Sequence, residues 1–220
     1  MRATVFLLNK EKALGPNGFT ITMYQECWDV IKEDLVRVFS EFHINGIINQ
    51  GTNVTFIVLA PKKKSQTFKL SDFRLISLII SLYKIIAKVL SRHLRKVLNK
   101  AIFLLQGAFV KRRQILDAVL IANDIVDEKK RSREEGVVFK IDFEKAYDHV
   151  EWGFLDHVFE RKSFNKKWRS WIRGCLSSMS FIVLINKNAK GWAKATRGLR
   201  RRNPLLSFFF TIVMDVLVGC

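Results

Sequence analysis

The chain has 220 residues, 49% hydrophobic and 26% charged, which excludes a disordered polymer and leaves one large domain or two small lobes. Lys plus Arg number 38 against 20 Asp plus Glu, a formal net charge of +18. That excess points to a polyanionic partner, most simply nucleic acid, and says nothing about the fold.

The N-terminal stretch MRATVFLLNKEK has too short an apolar part for a secretory signal. Residues 13–19, ALGPNGF, read as a turn. A helix is expected over 22–43, with Trp28, Ile31, Leu35, Val38, Phe39 and Phe42 on one face and Asn45-Gly46 as its stop. Residues 54–61, VTFIVLAP, form a strand followed by Lys62, Lys63 and Lys64, then Lys69 and Arg74. Such a run is either a solvated loop or a basic strand-turn that grips phosphates without reading sequence.

From Ser81 the spacing turns helical, with Leu82, Ile85, Ile86, Val89, Leu90 and Leu94 opposite Lys84, Lys88, Arg92, Arg95 and Lys96. A helix of this kind packs on a core and faces a nucleic-acid groove, or lies on a membrane surface. Gln106-Gly107 enters a helix within 105–131, whose buried side is marked by Ile115, Val119, Ala122 and Val126.

Residues 136–150, GVVFKIDFEKAYDHV, organise the rest. Val137 to Ile141 have strand character, and Asp142 follows at the C-terminal end. A carboxylate there can hold a hard divalent cation such as Mg²⁺, which takes one or two carboxylates plus substrate phosphates. The plain alternative is a helix N-cap. Two short helices follow over 151–176, then a hairpin of Phe181–Ile185 and Trp192–Thr196 turning at Lys187-Asn188. The loop RGLRRRNP, with four arginines, leads through Pro204 into a last helix carrying Phe210, Val213 and Leu217. That tail contains Asp215 and is too short for a clean membrane span. Cys27, Cys175 and Cys220 are far apart and suggest neither a disulfide framework nor a zinc site, so the setting is intracellular.

Six blocks in order carry a family resemblance: GPNGF, FIVLAPKK, DFRLISL with SLYKIIAKVLSRHLR, QGAFVKRRQILDAVL, FKIDFEKAYDHVEWGFL and GLRRRNPL. Together they resemble the reverse-transcriptase domain of non-LTR (LINE-type) retrotransposons, especially those of plants. The resemblance implies an α+β, incomplete right-hand polymerase, helix-rich with a small antiparallel palm sheet. Residues 1–135 would be mainly fingers and 136–220 a partial palm. It implies RNA-directed DNA polymerase chemistry with Mg²⁺ or Mn²⁺, an RNA template, a DNA primer and deoxynucleoside triphosphates. A nuclear setting follows by the same analogy.

Carried over residue by residue, Asp142 resembles the first metal-binding aspartate and Phe143 the position whose backbone joins it. Tyr147 resembles the steric gate beneath the sugar, which clashes with a 2′-hydroxyl. Asp148 matches a position read as structural. Lys62 and Arg74 resemble finger residues facing the triphosphate. Arg201 falls in the nucleotide pocket. Lys63, Lys64, Gln106, Gly107 and Arg200 would meet nucleic acid, and Phe109 belongs to the same block as Gln106.

The loop departs from the family pattern GLRQGDPLSP. Arg201 stands for Gln, Arg202 for Gly, Asn203 for Asp, and Leu206 and Ser207 for Ser and Pro. A Gly position can require positive φ, which Arg tolerates poorly. Leu75 stands for Pro, and Asn17 for Asp. The family's aromatic-Ala-Asp-Asp block has no counterpart, and no Asp-Asp pair occurs in the chain. The expectation is a truncated, catalytically inactive copy, with an unpaired apolar edge at Val137–Ile141 that promotes aggregation. A non-catalytic nucleic-acid binder, an untended remnant and a membrane-surface role are the competing readings.

Overall fold

A computed structural model describes residues 1–11, 13–62, 69, 72–102, 114–133, 135–137, 143–186 and 188–218. Eight helices and four strands are seen among them: α1 Arg2–Phe6, α2 Ile21–Glu26, α3 Trp28–Asn45, β1 Val54–Pro61, β2 Phe73–Ile79, α4 Ser81–Ala101, α5 Ile115–Ser132, α6 Trp152–Arg161, α7 Lys166–Ser177, β3 Ser180–Ile185, β4 Asn188–Lys194 and α8 Leu206–Val218.

The single helix expected over 22–43 is two. The Thr20 hydroxyl oxygen accepts the Met23 N–H at 2.9 Å and starts α2, which closes at Cys27. The apolar pattern serves two clusters, and the change from one to the other falls within α3 rather than at the break. Tyr24, Trp28 and Leu35 pack with Val5, Leu8 and Ile21, whereas Phe42 reaches the main core. Gly46 then stops α3 in the left-handed region, its N–H donating to Phe42 O.

The sheet has the order β2-β1-β3-β4. β1 pairs antiparallel with β2, from Thr55↔Ile79 to Pro61↔Phe73. It pairs parallel with β3, from Val54↔Ser180 to Val58↔Leu184. β4 closes antiparallel on β3. The small sheet is therefore mixed rather than wholly antiparallel. A parallel pair needs a long crossover, and the helices between β1 and β3 provide it. β4 starts at Asn188 rather than Trp192, and its residues are exposed.

The core is built around α4. Tyr83, Ile86, Leu90, Leu94 and Leu98 pack against Leu155 and Phe159 of α6, Ile172 and Leu176 of α7, and Phe209 and Ile212 of α8. Ile85 turns to the smaller cluster. Phe159 meets Phe164 and Phe209 edge-on at 4.8 and 5.8 Å between ring centroids. Lys162 ties three helices together: its Nζ donates to Asp215 Oδ2 at 2.5 Å and to Ala101 O at 2.7 Å.

The basic face expected on α4 is partly turned inward. Lys84 is buried and its Nζ donates to Ala13 O at 2.9 Å, while the Ser81 hydroxyl donates to Phe19 O at 2.6 Å. The turn at 13–19 is thereby docked on the start of α4. Arg92 donates to Thr4 Oγ1, and Arg95 and Lys96 stay exposed. On α5 the expected buried side is not buried: Val119 is 49% exposed and Leu116, on another face, 66%. Periodicity marks the residues that can be buried, not the presence of a surface to cover them. The expected strand Val137–Ile141 lies, past Val137 itself, outside the described residues.

Candidate functional site

Two segments far apart in sequence meet beside the sheet. The first runs from Phe143 to Val150. Lys145 adopts φ 50° and ψ 34°, and a tight turn follows over Ala146–His149. The Asp148 N–H donates to Lys145 O at 2.8 Å and closes it. Tyr147 is half-buried, its ring edge-on to Phe210 of α8 at 4.7 Å.

The second segment is the loop 197–203. The Leu199 N–H donates to Tyr147 O and the Gly198 N–H to Val150 O, both at 2.7 Å. The Trp152 indole N–H donates to Gly198 O at 2.8 Å. This approach needs glycine: Gly198 sits at φ +83°, and a Cβ there would lie 3.0 Å from Asp148 O. At the lip, Arg201 Nη2 meets Asp148 Oδ2 at 3.0 Å, with side chains 42% and 45% exposed.

Phe143, Lys145, Tyr147, Arg201, Phe210 and Met214 line one open concavity of about 740 Å³. A second, of about 520 Å³, opens on the sheet face formed by Ile57, Leu59, Leu75, Ser77 and Val183, with Asp148 and Arg201 at its rim. Phe143, Tyr147 and Arg201 are thus brought together around the first of these.

Lys62 and Arg74 are placed elsewhere. Both are exposed near the end of the β1–β2 hairpin, where the Lys62 N–H donates to Asp72 O at 2.8 Å. Arg74 is opposite Ala60 in the register. Strand alternation puts Ala60, Lys62 and Arg74 on one face, and Leu59 and Leu75, which line the second concavity, on the other. The two basic residues share a surface with each other and not with Arg201.

Arg200 is not at a surface. It is 3% exposed, so the expectation that it meets nucleic acid has no solvent-facing guanidinium to stand on. Its guanidinium lies 4.0 Å from the Tyr83 ring centroid. Nη1 donates to Thr55 Oγ1 at 2.6 Å and to Asn53 O at 3.2 Å. Among the described residues Nε and Nη2 have no hydrogen-bond partner. Burial lowers the Arg200 pKa, raises that of the Tyr83 phenol and pushes the Cys175 thiol up to about 12. Asn203 is buried beside them: its Nδ2 donates to Tyr83 Oη at 3.0 Å, and its Oδ1 accepts the Leu205 N–H. Arg202 adopts φ +63° and is exposed, so the residue standing at the family's Gly position does take the left-handed conformation.

Asp142, Lys63, Lys64, Gln106, Gly107 and Phe109 lie outside the described residues. Among the described residues no group of three or more His, Cys, Asp or Glu could hold a metal ion, so they do not by themselves fit one. Sequence reasoning missed the Asp148–Arg201 pair and the burial of Arg200. Four arginines within a short loop carry no signal that separates the one turned inward from the ones left outside. The partners of Arg200 at Asn53, Thr55 and Tyr83 are distant in sequence and become visible only once the sheet is built.

The family described as reverse transcriptase (RNA-dependent DNA polymerase) matches residues 60–219. The chain is 27% identical over 209 residues to the Transposon TX1 uncharacterized 149 kDa protein of Xenopus laevis, covering 95% of this chain and 16% of that protein. It is 25% identical over 215 residues to a retrovirus-related Pol polyprotein from the type-1 retrotransposable element R2 of Nasonia vitripennis, covering 95% and 20%. The corresponding R2 polyprotein of Popillia japonica is 20% identical over 211 residues, covering 95% and 28%. The chain thus spans well under a third of the length of these curated relatives.

Proposed function

The chain belongs to the reverse transcriptase family, and on that premise we propose that it supplies the fingers and part of the palm of an RNA-directed DNA polymerase from a non-LTR retroelement. The plant assignment rests on the six sequence blocks in their order. The observation that carries the functional reading is the seating of the loop 197–203 against the Tyr147 turn, which gathers Phe143, Tyr147 and Arg201 around one concavity.

In this reading the concavity takes the sugar and base of a deoxynucleoside triphosphate. Tyr147 lies under the sugar. Lys62 and Arg74, on the other face of the sheet and with no side-chain ion pair among the described residues, attract the phosphates of the nucleic-acid backbone. The template RNA and primer DNA follow the basic surface, and the net charge of +18 favours their association at low salt. The family implies a divalent metal, and Asp142 with the backbone of Phe143 is the proposed place for it. The chemistry it would supply there is activation of the primer hydroxyl and stabilisation of the leaving pyrophosphate. No Asp-Asp pair occurs within these 220 residues, so primer extension by this chain alone is expected to be absent.

Photocrosslinking of a labelled deoxynucleoside triphosphate tests the reading. The label is expected on peptides containing Tyr147 or Arg201. Labelling confined to other peptides, or none, refutes it. The +18 charge also favours a second reading, a binder of nucleic acid without catalysis. Under that reading Asp142→Ala leaves RNA affinity unchanged.

A further inference from the structure

The Tyr147 turn is fixed by two backbone hydrogen bonds, Leu199 N–H to Tyr147 O and Gly198 N–H to Val150 O. The Trp152 indole N–H, donating to Gly198 O at 2.8 Å, ties the segments at the same end of the loop. The Asp148–Arg201 ion pair, at 3.0 Å, ties the residue that directly follows Tyr147 to the same loop beyond Leu199. Both side chains are about half exposed. The pair therefore closes over the rim rather than in the core. The Tyr147 ring is held from its other side by Phe210.

We propose that Asp148 and Arg201 are a positioning pair: they set the height of the Tyr147 ring and hence the preference for a deoxy- over a ribonucleoside triphosphate. This rests on the reading of Tyr147 as the residue beneath the sugar. Arg201 then acts through the turn and not as a phosphate contact, because the edge of its guanidinium that carries Nη2 is engaged by Asp148. Where the family pattern has Gln, a neutral side chain could hydrogen-bond to Asp148 but not neutralise it. The Arg makes the tie charge-assisted, and so shorter-lived at high salt.

The test uses the whole chain and two fluorescent probes, a deoxyadenosine and an adenosine triphosphate analogue, with affinities read by anisotropy at low salt. Asp148→Ala and Arg201→Ala are each expected to shrink the deoxy-to-ribo affinity ratio by about two- to five-fold, the range open to a half-exposed pair. The double exchange Asp148→Arg with Arg201→Asp is expected to restore much of the ratio. Thermal midpoints of all variants are measured alongside, and a merely structural role would lower the midpoint without moving the ratio. An unchanged ratio in both single variants overturns the proposal. An equal loss of both affinities on Arg201→Ala also overturns it, since that is the signature of a phosphate contact. Absence of binding by the unaltered chain to either probe would refute the Tyr147 reading itself, and the proposal with it.

Discussion

Arg202→Gly should stabilise this protein. Arg202 holds φ +63°, where an L side chain crowds its own backbone at a cost of about 1–2 kcal/mol. Glycine removes that cost but adds freedom to the unfolded chain, worth about 0.4–1 kcal/mol in the opposite direction. Arg202 is exposed, and no hydrogen bond or ion pair of its side chain is seen among the described residues, so the substitution loses little else. The net gain is about 0.5–1 kcal/mol, or roughly 1–4 °C in thermal midpoint for a chain of this size. Urea denaturation and differential scanning calorimetry both read it. Arg202→Ala is the necessary control. It removes the same charge and the same long side chain but keeps the Cβ, so it should gain almost nothing. Equal stabilisation by Ala and Gly would show that charge, not backbone conformation, is responsible. Destabilisation by Gly would refute the strain argument outright.

Three further substitutions test the packing account. Gly174→Ala places a Cβ 1.8 Å from Gly46 O, which is backbone and cannot rotate away. A loss of about 2–3 kcal/mol by urea denaturation is expected, even though Ala is the better helix former; a neutral result would contradict the close approach of α3 and α7. Asn203→Asp puts a carboxylate at the hydroxyl of Tyr83, whose ring has the buried Arg200 guanidinium 4.0 Å from its centroid. It should raise stability at neutral pH by about 1–3 kcal/mol, provided Arg200 remains charged. A destabilisation would mean that desolvation of the new carboxylate outweighs its attraction to Arg200. Cys175 titrates near 9 when unfolded and at about 12 when folded, so its contribution is fully present below pH 9 and is lost as pH rises from there toward 12. Unfolding free energy should fall by roughly 1.4 kcal/mol per pH unit above pH 9, and Cys175→Ala should flatten part of that slope. A wild-type chain equally stable at pH 8 and pH 10.5 would rule this out.

Much of the fold was legible because each signal was local. Strand β1 was bounded correctly by its β-branched run, and apolar spacing placed the start of α4, two short helices over 151–176 and a last helix beyond Pro204. What escaped was decided by contacts between distant segments. The split at Cys27 leaves Tyr24 and Trp28 in one cluster, and the pattern passes to the main core only at Phe42. The parallel β1–β3 pair depends on the path of the crossover and not on either strand. At the site, Phe143, Tyr147 and Arg201 were named from sequence and do converge. Lys62 and Arg74 were named with them but fall on the other face of the sheet, because a strand's alternation is absolute while motif order carries no information about faces. Arg200 shows the same limit from the opposite side. Its neighbours Arg201 and Arg202 are surface residues, yet Tyr83, Thr55 and Asn53 draw it into the interior.

The measurement that bears most directly on the account is the salt dependence of binding to an RNA template annealed to a DNA primer. Anisotropy titrations between 50 and 200 mM salt would read it. With about four phosphate contacts, affinity should fall by roughly two orders of magnitude across that range. Lys62→Ala and Arg74→Ala should each lower the slope of log affinity against log salt by about 1. Binding that ignores salt, or slopes that these two substitutions leave unchanged, would contradict the assignment of the chain as the fingers and part of the palm of a polymerase.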